Sequence, residues 1–290
     1  MAGWKFAWSR SWPPPVPESI PPVFLATAIE VAMHAGRVQM EHFGSADLEV
    51  DKKGTIDLVT NIDKAIEREF RALIAERFPE HEVLGEEFEQ AGQWDRIPEY
   101  CWVFDPIDGT TNYAHGLPIF CCSVALEIRG VPVVAAVFDP NRQELFTAER
   151  GQGARLNGKP MRVSAATSLI DSLLVTGFHY GVQRDPAEVM ALFTTFITRA
   201  RAVRRLGSAA LDLCYVAAGR FEGFWEQKLH PWDVAGGALL VEEAGGRVSG
   251  VDGSPYSSRS GSVLASNGHV HDEMLAIIRD FQSTWETRGR

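Results

Sequence analysis

The regular patterning of the chain begins near residue 21. Pro21-Pro22 suits the first turn of a helix, where a missing N–H costs little. Leu25, Ala28, Ile29, Ala32, Ala35 and Val38 then recur at helical spacing, and Gly44 supplies a stop. Residues 49–55 are polar and lysine-bearing, which predicts a loop or short hairpin. Asn61 or Asp63 is expected to cap a second helix that places Ile66, Phe70, Leu73, Ile74 and Phe78 on one face. Past Gly85-Glu86-Glu87 the pattern changes to strands. Residues 100–104 form a short apolar run ending at Asp105. Residues 120–128 and 131–138 flank Arg129-Gly130, a hairpin turn, and 144–148 with the Gly-rich 151–159 extend an antiparallel meander.

The second half alternates. Strands are expected at 173–175, 200–206, 221–226, 246–248 and 262–265. Helices are expected at 186–199, 208–218, 232–244 and 268–282. This rhythm predicts an α/β fold with layered elements. A boundary is placed near residue 160, giving a 21–160 half and a 161–290 half around one continuous core. Residues 1–20, rich in Trp and Pro, read as an irregular extension.

Composition narrows the function classes. The chain has 290 residues, enough for one large domain or two closely packed ones, and a net charge of −10. Such acidity argues against nucleic-acid binding, which needs basic patches, and no polybasic segment favours a membrane. It leaves a phosphorylated substrate open, because divalent cations on carboxylates reverse the local field. Cys101, Cys121, Cys122 and Cys214 have no C-x-x-C spacing and lie in apolar stretches, so buried free thiols are expected, with a cytoplasmic setting as the default. The N-terminus has no apolar core of a signal peptide, and no apolar run is long enough to span a bilayer.

Candidate chemistry concentrates in Asp105-Pro106-Ile107-Asp108-Gly109-Thr110-Thr111. An apolar strand delivers Asp105, and Pro106 interrupts the ladder. Two carboxylates this close repel unless neutralised, and hard oxygen ligands suit Mg²⁺. Gly109 permits close backbone approach, and the N–H groups of Gly109 and Thr110 can hold phosphate oxygens. An Asx-type turn is the plain structural rival for the Asp-x-x-Asp pair. Capping alone is the corresponding rival for Asp63 and Asp233.

The run Asp105 to Asn112 resembles the signature of the inositol monophosphatase family. Leu229-His230-Pro231-Trp232-Asp233-Val234-Ala235-Gly236-Gly237 resembles a second family element, Asp57-Leu58-Val59-Thr60-Asn61-Ile62-Asp63 a third, and Gly85-Glu86-Glu87 a fourth. All occur in the family's order, and the resemblance runs from about 22 to 283. It implies an α-β-α-β-α sandwich, a homodimer, and Mg²⁺-dependent, lithium-sensitive hydrolysis of a small polyol or sugar phosphate, first of all myo-inositol 1-phosphate.

By the same resemblance, Glu86, Asp105, the Ile107 carbonyl and Thr110 surround one metal. Asp105 bridges to a second held by Asp108 and Asp233, and Glu86 also reaches a third, partly through water. Asp63 orients Thr110, which helps activate the attacking water. Asp108, Gly109, Thr110, Ala209 and Glu226 face the substrate. Lys52 aligns with a family lysine on an active-site loop, and a solvated loop lysine is an equal reading of it. The chain departs from a typical member at its N-terminal extension and at Gly177-Phe178-His179-Tyr180. His179 and Tyr180 are read first as surface or core residues and second as pocket lining. Rivals on the same signature are fructose-1,6-bisphosphatase, histidinol-phosphatase and 3′-phosphoadenosine-5′-phosphatase types. A regulatory interaction protein on this scaffold is the rival of another class.

Overall fold

A computed structural model describes residues 17, 19–45, 48–53, 57–88 and 97–287. The extension expected over 1–20 therefore lies, apart from Pro17, Ser19 and Ile20, outside the described residues. Helix α1 (Pro22–His42) leads to a two-stranded antiparallel ribbon, β1 (Val50–Lys52) and β2 (Leu58–Thr60), and then to α2 (Asn61–Arg77). A seven-stranded sheet follows, in the spatial order β3 (Glu82–Gly85), β4 (Tyr100–Asp108), β5 (Cys121–Ile128), β6 (Val131–Asp139), β7 (Glu144–Glu149), β8 (Ala154–Leu156) and β9 (Lys159–Pro160). The five-residue helix α3 (Thr110–Ala114) joins β4 to β5.

The second half contributes β10 (Leu173–Thr176), α4 (Ala187–Ile197), β11 (Ala202–Arg204), α5 (Ala209–Ala217), β12 (Gly223–Gln227), α6 (Pro231–Glu243), β13 (Arg247–Ser249), β14 (Ser262–Ser266) and α7 (His271–Thr287). Its sheet runs β11-β10-β12-β14-β13, parallel through β11, β10 and β12 and antiparallel beyond. Helices α1 and α2 cover the outer face of the first sheet, α5 and α6 lie between the sheets, and α4 and α7 cover the second sheet. The result is the expected α-β-α-β-α sandwich.

Covered faces explain the composition of the central strands. β5 and β6 are buried at every position, so they read as continuous apolar runs instead of alternating ones. The outer core packs Phe24, Phe70, Trp102, Phe104 and Leu126, with Phe70 stacked on Phe104 at 4.2 Å. The middle core mixes side chains of both sheets, from Val137 and Phe146 to Val175 and Phe224, so the first sheet ends near residue 160 but the packing does not. All four cysteines are buried and free.

Three local expectations need correction. β3 pairs with β4 in parallel, so the first sheet is not a pure meander. Thr60, not Asn61 or Asp63, caps α2. Its hydroxyl accepts from the Ile62 and Asp63 amides, while Asp63 answers at the third helical position by accepting from the Thr60 amide at 2.8 Å. β4 runs on to Asp108 instead of stopping at Phe104. At the predicted hairpin, Arg129 and Gly130 both adopt positive φ (51° and 80°), the geometry that matches strand twist in a two-residue turn.

Candidate active site

The acidic turn is shaped by a bulge at the end of β4. Asp105 lies opposite Ser123 and Asp108 opposite Cys121, so β4 carries one extra residue there. Positions three apart in a regular strand face opposite sides of the sheet. The extra residue brings both carboxylates to one side. Asp233 joins them from α6, and one carboxylate oxygen from each of the three lies within 4.8 Å of the others.

Gly109 completes the turn at φ 100°, where a Cβ would stand 2.9 Å from the Ile119 carbonyl oxygen. Thr110 follows as the first residue of α3. Its hydroxyl donates to the Ile107 carbonyl at 2.8 Å and lies 3.4 Å from Asp63 Oδ1. Asp63 is fully buried beneath it. Burial pushes its carboxyl up to about 7, against the hydrogen bonds from Thr60.

Asp108 connects the two halves. Its Oδ2 accepts from the Ser208 hydroxyl at 2.6 Å and from the Ala210 amide at 2.7 Å, at the N-terminus of α5. Burial still raises it to about 6. Asp105 accepts from the Ile107 amide and is driven well above the usual carboxylate range by burial, then by Glu86 and Asp108. Asp233 is raised by burial and by Asp108. It also accepts from the His230 amide at 2.7 Å, so it caps α6 while facing the cluster.

Three carboxylates converging on one point, each made costly to ionise, fit a hard divalent cation. The Ile107 carbonyl adds a neutral oxygen of the same hardness. No Lys or Arg is ion-paired to Asp105, Asp108 or Asp233 among the described residues. The donor set therefore fits such a cation, which would remove the repulsion.

Glu86 lines the same cavity at the end of β3, outside the triad. Lys53 Nζ bridges Glu86 at 2.9 Å and Glu87 at 2.6 Å. Glu87 is buried and raised to about 8, first by burial and then by Glu86. Beneath this loop the buried Glu67 accepts from the amides of Glu87 (2.7 Å) and Phe88 (3.2 Å) and from Arg71. Of the two adjacent lysines at the end of the ribbon, the one that reaches the site is thus Lys53. Lys52 belongs to the exposed ribbon strand and does not line this cavity.

The cavity has a volume of about 370 Å³. Its far wall is built from the ends of parallel strands. Glu226, at the end of β12, is buried and raised to about 8. It packs so tightly over Gly177 that a Cβ there would stand 1.9 Å from Glu226 Oε2. Ala209, Arg205, His179 and Tyr180 line the same wall, which gives His179 and Tyr180 the second of the two placements considered. His230 stacks on Trp232 at 4.8 Å beside it.

Sequence reasoning missed Asp57, Glu67, Asp212, Arg205 and Lys228. Asp212 follows Ala209 by three residues in α5, is buried, and leaves Oδ1 without a hydrogen-bond partner. The signal for it was an acid on an otherwise apolar helix face. Arg205 and Lys228 carried none, because flanking polar residues look alike until strands bring them together.

The family model described as the inositol monophosphatase family matches residues 22–284. An inositol-1-monophosphatase from Synechocystis is 42% identical over 255 residues, covering 88% of this chain and 88% of that protein. The Nus factor SuhB of Escherichia coli is 42% identical over 257 residues, covering 88% and 96%. An inositol monophosphatase structure from Anabaena (Nostoc) superposes with a TM-score of 0.80 at 42% identity, covering 89% of this chain and 96% of that one. No helix among the described residues is long and apolar enough to cross a membrane. With its acidic cluster at the end of β4 and its layered sandwich, the chain belongs to the inositol monophosphatase family of metal-dependent phosphatases and is a phosphoric monoester hydrolase.

Proposed function

We propose that the protein hydrolyses a small polyol or sugar phosphate monoester with Mg²⁺, myo-inositol 1-phosphate first among candidates. The observation that carries this reading is the convergence of Asp105, Asp108 and Asp233 beside a cavity of substrate size. Asp105, Asp108, Asp233, Glu86 and the Ile107 carbonyl would hold the cations. When bound, these supply charge neutralisation at phosphorus and a nucleophile at neutral pH.

The remaining work falls to the protein's own groups. Thr110 gives its single hydroxyl proton to Ile107 or Asp63 and keeps its lone pairs for the incoming water. Asp63, buried and raised, fixes that hydroxyl. The amides of Gly109 and Thr110 receive phosphate oxygens, and Ala209 and Glu226 receive the polyol hydroxyls. The family resemblance also supports lithium inhibition, a homodimer and a cytoplasmic setting.

A second reading draws on the relative named Nus factor: a partner-binding role on the same scaffold. A parallel panel decides between them. Inositol 1-phosphate, fructose 1,6-bisphosphate, histidinol phosphate and 3′-phosphoadenosine 5′-phosphate are incubated with native protein and Mg²⁺, with phosphate release as readout. Preferential turnover of inositol 1-phosphate supports the first reading. Equal turnover of fructose bisphosphate makes the narrow substrate wrong, and no turnover of any favours partner binding.

A further inference from the structure

Lys228 sits one residue past β12 with φ 60°. This left-handed conformation is uncommon for a long side chain and costs strain that glycine would avoid. The lysine nonetheless lines the catalytic cavity, two residues beyond Glu226. Its Nζ lies 3.1 Å from His179 Nε2. His179 stands just past β10, and β10 and β12 are parallel neighbours with Thr176 opposite Trp225, so the two side chains rise from adjacent strand ends. Strand ends of this kind are where open α/β sheets take ligands.

The charge around Lys228 differs from that around the other cavity cations. Lys53 is occupied by Glu86 and Glu87. Arg205 makes no ion pair among the described residues, but its charge acts on Asp212 and Glu226, and it lies over the Phe178 ring at 5.8 Å. Lys228 has no ion pair among the described residues. Burial and the lysine's own charge hold His179 below its ordinary value, and because an ammonium can only donate, Nε2 is the acceptor in this contact. One N–H of the ammonium is used in this way, and two remain for a ligand.

We propose that Lys228, steadied by His179, is a specificity-determining residue that receives a second anionic group of the substrate, a phosphate or a carboxylate, beyond the hydroxyls held at Glu226. The proposal rests on the reading of this cavity as a phosphomonoesterase site and narrows its substrate class to phosphate esters with a second anion, which makes myo-inositol 1-phosphate the singly anionic reference substrate. It also gives a role to the Gly177–Tyr180 segment, where the chain departs from a typical member of its family.

The test compares native protein, K228Q and K228G with Mg²⁺ on inositol 1-phosphate, fructose 1,6-bisphosphate and 3-phosphoglycerate. Glutamine keeps a polar side chain, one atom shorter, but removes the charge. Glycine removes the side chain and relieves the strain, so K228G is expected to melt no lower than native. The expected result is a fall of roughly tenfold or more, carried by KM, in the kcat/KM ratio of a doubly anionic substrate to inositol 1-phosphate in both variants. Loss on the bisphosphate alone identifies a phosphate, and loss on the phosphoglycerate alone a carboxylate. Ratios within about twofold of native in both variants overturn the proposal while leaving the phosphatase reading intact. Native protein that hydrolyses none of the three overturns both.

Discussion

The two walls of the cavity are built by different means. The acidic wall comes from one short run, Asp105 to Thr110, bent by a strand bulge and closed by Gly109, with Asp233 added by a helix cap. The far wall is assembled from three strand ends and a helix start that are remote in sequence: Gly177 and His179, Arg205, Ala209 and Glu226 with Lys228. The first wall is defined by covalent neighbours and dense hydrogen bonding, the second by sheet register. The comparison predicts that changes at the acidic wall abolish turnover, whereas changes at the far wall alter which substrate is bound.

The largest effect is expected for Asp105→Asn. The amide keeps the contact to the Ile107 N–H but removes a charge from the triad. Turnover with Mg²⁺ should drop by roughly a thousandfold or more, with an unchanged circular dichroism spectrum. Retained turnover would merge the two walls into one weak binding site. Next comes Gly177→Ala, whose methyl collides with Glu226. We expect kcat/KM to fall by about tenfold to a hundredfold, chiefly through KM, while the Mg²⁺ dependence stays that of the native enzyme. A shifted Mg²⁺ dependence would show that the walls are coupled.

Ser208→Ala tests the shortest of the hydrogen bonds that tie Asp108 to the far wall. Losing the 2.6 Å contact leaves Asp108 with the Ala210 amide, and Mg²⁺ affinity should weaken by roughly 10–100-fold in a titration of activity.

The smallest effect on the site is expected at His271, behind the second sheet. The ring is buried between Ser249 and Ser266, and burial, then Arg247, pushes it down to about 4 from 6.5. A group whose folded value is depressed contributes stability that is complete above the unfolded value and is lost as pH falls toward the folded one. Denaturation of native and His271→Gln protein should therefore differ most above about pH 6.5, and the difference should shrink by about 3 kcal/mol on approach to pH 4. Turnover at pH 7 should hardly change, which separates stability of the second sheet from chemistry at its edge.

The same contrast explains what the sequence made legible. The order of helices and strands and the layered class followed from apolar spacing. The acidic run stood out because two carboxylates beside Gly, Pro and an apolar strand are unusual, whereas Asp63, Glu86 and Asp233 were singled out only by the four ordered motifs of the family resemblance. The parallel pairing of β3 was not legible, because pairing direction leaves no trace in a four-residue strand. Neither was the bulge, since Pro106 signals an interruption but not its geometry. Lys53 rather than Lys52 reaches Glu86, because the side on which a lysine emerges depends on where the ribbon ends. Lys228 and Arg205 acquire meaning only when β10, β11 and β12 are side by side.

The account rests on the acidic triad being a metal centre and not a set of caps. Asp233→Asn separates these roles, because asparagine can still accept from the His230 amide and cap α6 but brings no charge. The direct measurement is phosphate release from myo-inositol 1-phosphate by native and Asp233→Asn protein across a Mg²⁺ titration from a chelator-treated start. The account predicts native activity that rises from zero with Mg²⁺, and a variant that melts like native yet stays inactive throughout. Native activity indifferent to Mg²⁺, or a variant that follows the native curve, would contradict it.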